Sequence, residues 1–312
     1  MTHFGDPFTE QKRLARGEGW VALEDRAVLA LSGADRITWL DSLTSHRIAP
    51  DSSTQALILD PHGHIEYDLH VVDDGSTTWL IVDAAGADRL RGYLDSMRFL
   101  SDVTVSDVSD DHHVVWIPRR EGYGDRPTWL VPLEYAGLGW TPAGSDRGGA
   151  ADKYVPHRPD AWIGAEVILP RGEQPEGPEC GTWALNALRI AAGVPQVGVD
   201  SDHKSLPHEL GLIGSAVHLA KGCYRGQETV ARLHNMGRPP RRLVLLHFDG
   251  ALPDPGAEVV LGENVIGQVT SVAQHHELGP IGLAVVKRAA ATDHPVYADG
   301  IVASQEEIVA AG

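Results

Sequence analysis

From Arg241 onward the chain breaks into short apolar runs of strand length: "RRLVLLHF", "AEVVLGENVIGQVTSV" and "GPIGLAVVKR". No other feature constrains the fold as much, because runs this short, separated by turns, must pair with one another. Gly262-Glu263-Asn264 reads as a hairpin turn, and the strands recur at the spacing of a small barrel. "PPRR" (239–242) reads as the joint leading into this module.

Upstream, strand and helix patterns alternate. "AVLALSG" is an apolar strand broken at Ser32-Gly33, after which Asp35 is placed to cap a helix burying Ile37, Leu40 and Leu43. "TQALILDPHGHIEYDLHVVDDGSTTWLIVD" (54–83) reads as successive strands, turned at Pro61 to Gly63 and at Asp73-Asp74-Gly75. "GADRLRGYLDSMRFLSD" (86–102) has amphipathic spacing, with Leu90, Leu94, Met97 and Phe99 or Leu100 turned inward. Strand, helix, strands, helix predicts an α+β unit on a largely antiparallel sheet. "HHVVWIP" and "PTWLVPL" continue in strands, and "GSDRGGAADK" (144–153) reads as an exposed, mobile loop. "ECGTWALNALRIAAG" (179–193) is a helix with Trp183, Ala187 and Ile190 on one face, ended by Gly193 and Pro195. The expected division is an α+β domain over 1–120, a second over 121–240, and the barrel over 241–312.

The 312 residues suffice for several cores, and a net charge of -17 argues against a broad phosphate-binding surface for nucleic acid. Cys180 and Cys223 are the only cysteines and form no CxxC pair, which excludes a four-cysteine zinc or iron–sulfur site made by this chain alone. The polar N-terminus has no signal-peptide core, and no apolar run is long enough to span a bilayer. A soluble cytoplasmic monomer, with no membrane and no direct nucleic-acid partner, is the expectation.

"KGCYRGQETVAR" (221–232) concentrates unusual residues: Lys221, one of five lysines, and Arg225 flank Cys223, and Gly222 and Gly226 bracket it. Nearby cations and a following helix N-terminus favour thiolate, and glycines permit close approach. The same residues suit a buried cysteine in a tight turn, and local sequence leaves both readings open. Asp60, Glu66 and Asp68 crowd one turn–strand region, with Glu66 and Asp68 on one strand face. They fit either an acid–base pair or a solvated face. The histidines of "PHGH" (61–64), His70, "DHH" (111–113) and "QHH" (274–276) lack the i,i+4 spacing of zinc hydrolases, and no metal site is expected. P-loop, dinucleotide and GxSxG fingerprints are absent.

"KGCYRGQE" resembles the signature Lys-Gly-Cys-Tyr-x-Gly-Gln-Glu of the YgfZ family, folate-binding relatives of the glycine-cleavage aminomethyltransferase. Its fixed positions here are Lys221, Gly222, Cys223, Tyr224, Gly226, Gln227 and Glu228. Collinear segments resemble that superfamily too: "LDPHGHIEYDLHVV", "LRIAAGVPQVGVD", "LPHELGL", "IGQVTSV" and "IGLAVV". The resemblance implies a three-lobed GcvT-like architecture, with ferredoxin-like α+β units, a C-terminal barrel and a central cleft for tetrahydrofolate or a derivative. Asp68 falls where aminomethyltransferases keep a catalytic aspartate. Arg189, Glu209, Lys221, Tyr224 and Arg225 are the positions it implies around the folate, whose polyglutamate tail calls for Arg or Lys near the cleft mouth. Two departures point away from glycine cleavage: Ala191 replaces a pterin-gripping Glu, and the cysteine motif replaces a Phe-x-Gly segment. The YgfZ branch implies support of iron–sulfur enzymes or cluster-assembly proteins, including the enzyme that methylthiolates tRNA, with Cys223 as the reactive group. One-carbon transfer or demethylation using Asp68 is the alternative.

Overall fold

A computed structural model describes residues 1–136, 156 and 161–310, so the loop expected at 144–153 lies outside the described residues. The chain opens with helix α1 (Pro7–Ala15), where the Asp6 carboxylate accepts the Thr9 N–H at 2.9 Å as an N-cap. A two-residue strand, β1 (Val21–Ala22), follows.

The next elements are β2 (Arg26–Ser32), α2 (Arg36–Leu43), β3 (Ser53–Leu59), β4 (Ile65–Asp73), β5 (Thr78–Asp83), α3 (Ala87–Ser96) and β6 (Thr104–Asp107). They build an antiparallel sheet in the order β3-β4-β5-β2-β6. The run β4-β5-β2-β6 with two crossover helices is the ferredoxin-like arrangement, and β3 extends its edge. Gly33 ends β2 at φ +109°, where a Cβ would lie 2.1 Å from the Asp102 carbonyl oxygen. Alternation splits the sheet's side chains: Leu29, Ile58, Leu69 and Val71 pack under Leu40 and Leu94 of the helices. Val28, Leu57, Val72 and Ile81 face the central core instead.

Two local expectations need correction. Asp35 stands at the N-cap of α2, but its carboxylate accepts the Asp102 N–H at 2.8 Å and makes no cap hydrogen bond within the helix. Phe99 and Leu100 are exposed, not inward: α3 ends at Ser96, and Phe99 turns the chain outward at φ +47°.

A second sheet joins β1 to β7 (His112–Ile117), β9 (Ala165–Pro170) and β8 (Thr128–Leu130), all antiparallel and in that order. Within it β1 pairs with β7, and β7 in turn pairs with β9, a strand from beyond residue 120. Helix α4 (Thr182–Ala191) packs on α1 and on the barrel, and α5 (Gln227–Met236) follows the cysteine motif.

The C-terminal module is a closed six-stranded barrel, β10 (Arg241–Phe248), β11 (Glu258–Leu261), β12 (Asn264–His275), β13 (Gly279–Lys287), β14 (Val296–Ala298) and β15 (Ile301–Glu307). Leu261 pairs with Asn264 across a two-residue turn, which Gly262 enters at φ +62°. Val244, Leu246, Val269, Ala284 and Val286 fill the interior, while Leu243, Leu245 and Leu283 face the central core.

Candidate functional site

The first sheet, the second sheet and α4 converge on a cavity of about 420 Å³. Trp116 (β7), Trp129 (β8), Trp162 and Tyr135 give it aromatic walls, and Asp68 and His70 of β4 with Glu166 of β9 are its ionisable floor. Residues two apart on a strand share a face, so β4 sends Asp68 and His70 to this side while Leu69 and Val71 pack beneath the helices.

The His70 ring stacks flat on Trp129, with centroids 3.6 Å apart and planes 3° apart. Its Nδ1 lies 2.7 Å from Glu166 Oε2, and its Nε2 3.9 Å from Asp68 Oδ2. Gln55 Nε2 donates to both Asp68 oxygens at 3.1 Å, and Tyr135 donates to Gln55 Oε1 at 3.0 Å. The two carboxyls are driven apart. Burial raises the pKa of Asp68, against the pull of His70, Gln55 and Arg26. Burial also works to raise Glu166, but the His70 charge, the His70 hydrogen bond and Arg26 outweigh it and hold Glu166 below its ordinary value. Asp68 is therefore the carboxyl suited to hold or take a proton, and Glu166 the one suited to remain anionic. The indole N–H groups of Trp116 and Trp129 are buried with no hydrogen-bond partner among the described residues.

Arg189 lines this cavity, but its five N–H groups are all engaged. Nε donates to Asn186 at 3.1 Å, Nη1 to Val194 O and Asp200, each at 2.7 Å, and Nη2 to Asn186 at 2.7 Å and Ser271 at 3.0 Å. Ala191, where a Glu was the family expectation, is fully buried in the central core.

The rest of the sequence-derived set does not line the cavity. Glu209 sits at the base of the barrel, where it accepts Arg241 Nε at 3.0 Å and Nη2 at 2.9 Å. Lys221 is buried; its ammonium pairs with Asp41 Oδ1 at 3.0 Å and donates to the carbonyls of Asp41 and His46. Burial lowers its pKa, against the hydrogen bond and charge of Asp41. Tyr224 is buried in the central core, its hydroxyl pushed up to about 12 by burial. Gly226 is the N-cap of α5 at φ +81°, where a Cβ would lie 2.5 Å from Asp60 O. Gln227 donates to Lys221 O at 3.1 Å and closes the loop, and Glu228 lies exposed in the first helical turn. Gly222 and Cys223 are exposed at the tip of this clamped loop. Arg225 pairs with Glu66 Oε2 at 2.9 Å, so the loop rests on β4 two residues from Asp68. Of the three crowded carboxylates, Glu66 thus holds the loop, Asp68 faces the cavity, and Asp60 accepts the N–H groups of His62 at 2.7 Å and His64 at 2.8 Å.

Sequence reasoning singled out His70 only as a possible metal ligand and did not find Glu166, Gln55 or the tryptophans. Glu166 carried a signal, being the lone charge within the apolar strand "AEVILP". Among the described residues no group of three or more His, Cys, Asp or Glu is placed to hold a metal, and no helix is long and apolar enough to cross a membrane.

This architecture is that of the glycine-cleavage aminomethyltransferases. Residues 241–302 match the glycine cleavage T-protein C-terminal barrel domain. The chain superposes on aminomethyltransferase T from Bartonella henselae with a TM-score of 0.72 at 17% identity, covering 95% of this chain and 87% of that one. It is 29% identical to an aminomethyltransferase of Streptomyces coelicolor over 77% of its own length and 69% of the relative's. It is likewise 28% identical to the mitochondrial iron–sulfur cluster assembly factor IBA57 homolog of Mycosarcoma maydis, over 75% of this chain and only 58% of that protein.

Proposed function

We propose that the chain is a tetrahydrofolate-binding accessory protein of the YgfZ type, acting as a cytoplasmic monomer. In this reading it supports assembly or repair of iron–sulfur enzymes, tRNA-methylthiolating enzymes among them, with Cys223 as its reactive group. The observation that carries this reading is the separation of two regions: an aromatic-walled cavity, and an exposed thiol on a clamped loop outside it. A thiol outside the small-molecule cavity is available to a macromolecular surface. Likeness to an iron–sulfur cluster assembly factor supports the same direction. The second cysteine, Cys180, is buried. Cys223 would therefore act with ligands from a partner, or by thiol exchange on it.

Tetrahydrofolate suits the cavity residues. The volume lies within the range of drug-sized ligand sites, the indoles offer flat walls to a pterin, and Asp68, Gln55 and Glu166 offer acceptors for its N–H groups. The two unpartnered indole N–H groups would meet its acceptors. When bound, the folate supplies a one-carbon carrier. In a deletion strain, Cys223→Ser is expected to fail to restore methylthiolated tRNA; full restoration overturns the thiol role. Calorimetric titration is expected to detect reduced folates, and no binding at high micromolar concentration overturns the folate role.

Asp68 favours a second reading, a folate-dependent aminomethyltransferase or demethylase. A buried carboxyl that tends to hold its proton beside a ligand cavity is suited to proton transfer at a substrate amine. On that reading purified protein turns over glycine, sarcosine or dimethylglycine with tetrahydrofolate. Asp68→Asn then abolishes turnover and leaves folate binding intact.

A further inference from the structure

The walls of the cavity suit a pterin, but its mouth does not suit the tail that most folates carry. Each added glutamate brings another carboxylate, and a polyglutamate site calls for lysine or arginine where the tail emerges. The solvent-exposed and half-buried part of the lining instead holds three carboxylates, Glu24, Asp25 and Glu179, against one basic side chain among the described residues there, the half-buried Arg26. Burial and the charge of Glu24 together raise the pKa of Glu179, as expected for carboxylates near enough to repel.

The two arginines of the lining, the half-buried Arg26 and the buried Arg189, do not reverse this. All five N–H groups of Arg189 are bonded within the protein, and Asp200 neutralises its charge. Arg26 has an Nε–H without a hydrogen-bond partner among the described residues, but it faces the charges of Glu166, Asp25, Asp68 and Asp83. One guanidinium so surrounded can accept one ligand carboxylate, not a series of them.

We propose that this cavity selects reduced pterins with a short tail, one glutamate or none, and that the rim of Glu24, Asp25 and Glu179 repels the polyglutamate forms. This inference rests on the folate reading above and names the form of folate that reading requires. The unpartnered indole N–H groups of Trp116 and Trp129, both almost fully buried, point to a ligand held by its ring system inside, with the rim acting only on what protrudes.

The test is equilibrium binding of 5-formyltetrahydrofolate as the monoglutamate and as the pentaglutamate, read by calorimetry and by quenching of the cavity tryptophans. At low salt the monoglutamate is expected to bind about tenfold more tightly or better. Raising salt from about 0.05 M to about 0.5 M screens the rim and narrows the gap by strengthening pentaglutamate binding. The variant Glu24→Gln/Asp25→Asn/Glu179→Gln is expected to narrow it in the same way, leaving monoglutamate affinity within about twofold. The salt series needs no variant and stands if the triple substitution perturbs folding. Pentaglutamate binding as tight as the monoglutamate, or tighter, at low salt overturns this inference and leaves the folate reading standing. Binding of neither form overturns the folate reading, and the inference with it.

Discussion

A solvent-borne electrophile can reach Cys223, whereas Cys180 is fully buried and its thiol is pushed up to about 11 by burial and the charge of Glu10. Iodoacetamide under native conditions is therefore expected to add one carbamidomethyl group, at Cys223, with the second appearing only in denaturant. Two adducts forming together in the native protein, by intact mass, would refute this. The motif's glycines differ just as sharply. Gly226→Ala forces a left-handed residue to carry a Cβ against Asp60 O, and is expected to cost about 1–3 kcal/mol or more. Gly222→Ala meets nothing within 4 Å and is expected to stay within about 1 kcal/mol. Urea midpoints of the two variants decide it. In the sequence these glycines look alike, as room for a ligand. Only the backbone of the neighbouring turn shows that one permits a close approach within the protein. Lys221 is a parallel case: its rarity was legible, but its partners in α2 and the following loop, Asp41 and His46, are remote in sequence.

At the scale of elements, the β4–β5 hairpin shows how a turn is tied down. The Asp74 carboxylate accepts hydrogen bonds from the N–H groups of Ser76 at 2.9 Å and Thr77 at 2.8 Å, and from the Trp79 indole at 2.8 Å. Burial works to raise its pKa, but these bonds outweigh it and bring it from 3.8 to about 2. A depressed carboxylate stabilises the fold above its unfolded pKa, and that contribution fades as pH falls from about 4 to about 2. Asp74→Ala is thus expected to be less stable than the parent at pH 7, with the difference shrinking toward pH 2. Denaturation at both pH values checks this, and a difference that does not change with pH rules it out. The turn was legible because Asp73-Asp74-Gly75 punctuates two alternating strands. The alternation of β4 likewise placed Asp68 and Glu66 on one face. It could not supply Glu166, which meets His70 from a strand 96 residues further along the chain. Pairing across two sheets is decided by their packing, which has no period in the sequence.

For the molecule as a whole, the barrel is joined to the body through charge as well as through apolar packing. Arg241, the first residue of β10, binds Asp202 at 2.7 Å and the buried Glu209 at 2.9 Å, and these partners raise its pKa further. Arg241→Met leaves Glu209 buried without its cation and is expected to cost about 2–4 kcal/mol. Scanning calorimetry is expected to show a lowered midpoint, and an unchanged midpoint would contradict this role for the joint. The barrel was the most legible part of the sequence, because each strand is marked by its own turn. The grouping of strands upstream was not, since β1 pairs with β7 across the whole first sheet. Two positions that the resemblance implies around the folate, Glu209 and Lys221, are ion-paired within the protein, with Arg241 and Asp41, and buried charge that holds elements together has the same composition as charge that holds a ligand.

The ion pair between Arg225 and Glu66 has a consequence for how the two regions influence each other. The thiol loop and the cavity floor rest on one face of one strand, so they share a mechanical support. Linkage then fixes a symmetry between them. Whatever factor a cavity ligand imposes on the loop's affinity for its partner, the partner must impose on the cavity's affinity for that ligand. Measuring either direction of that exchange therefore measures both.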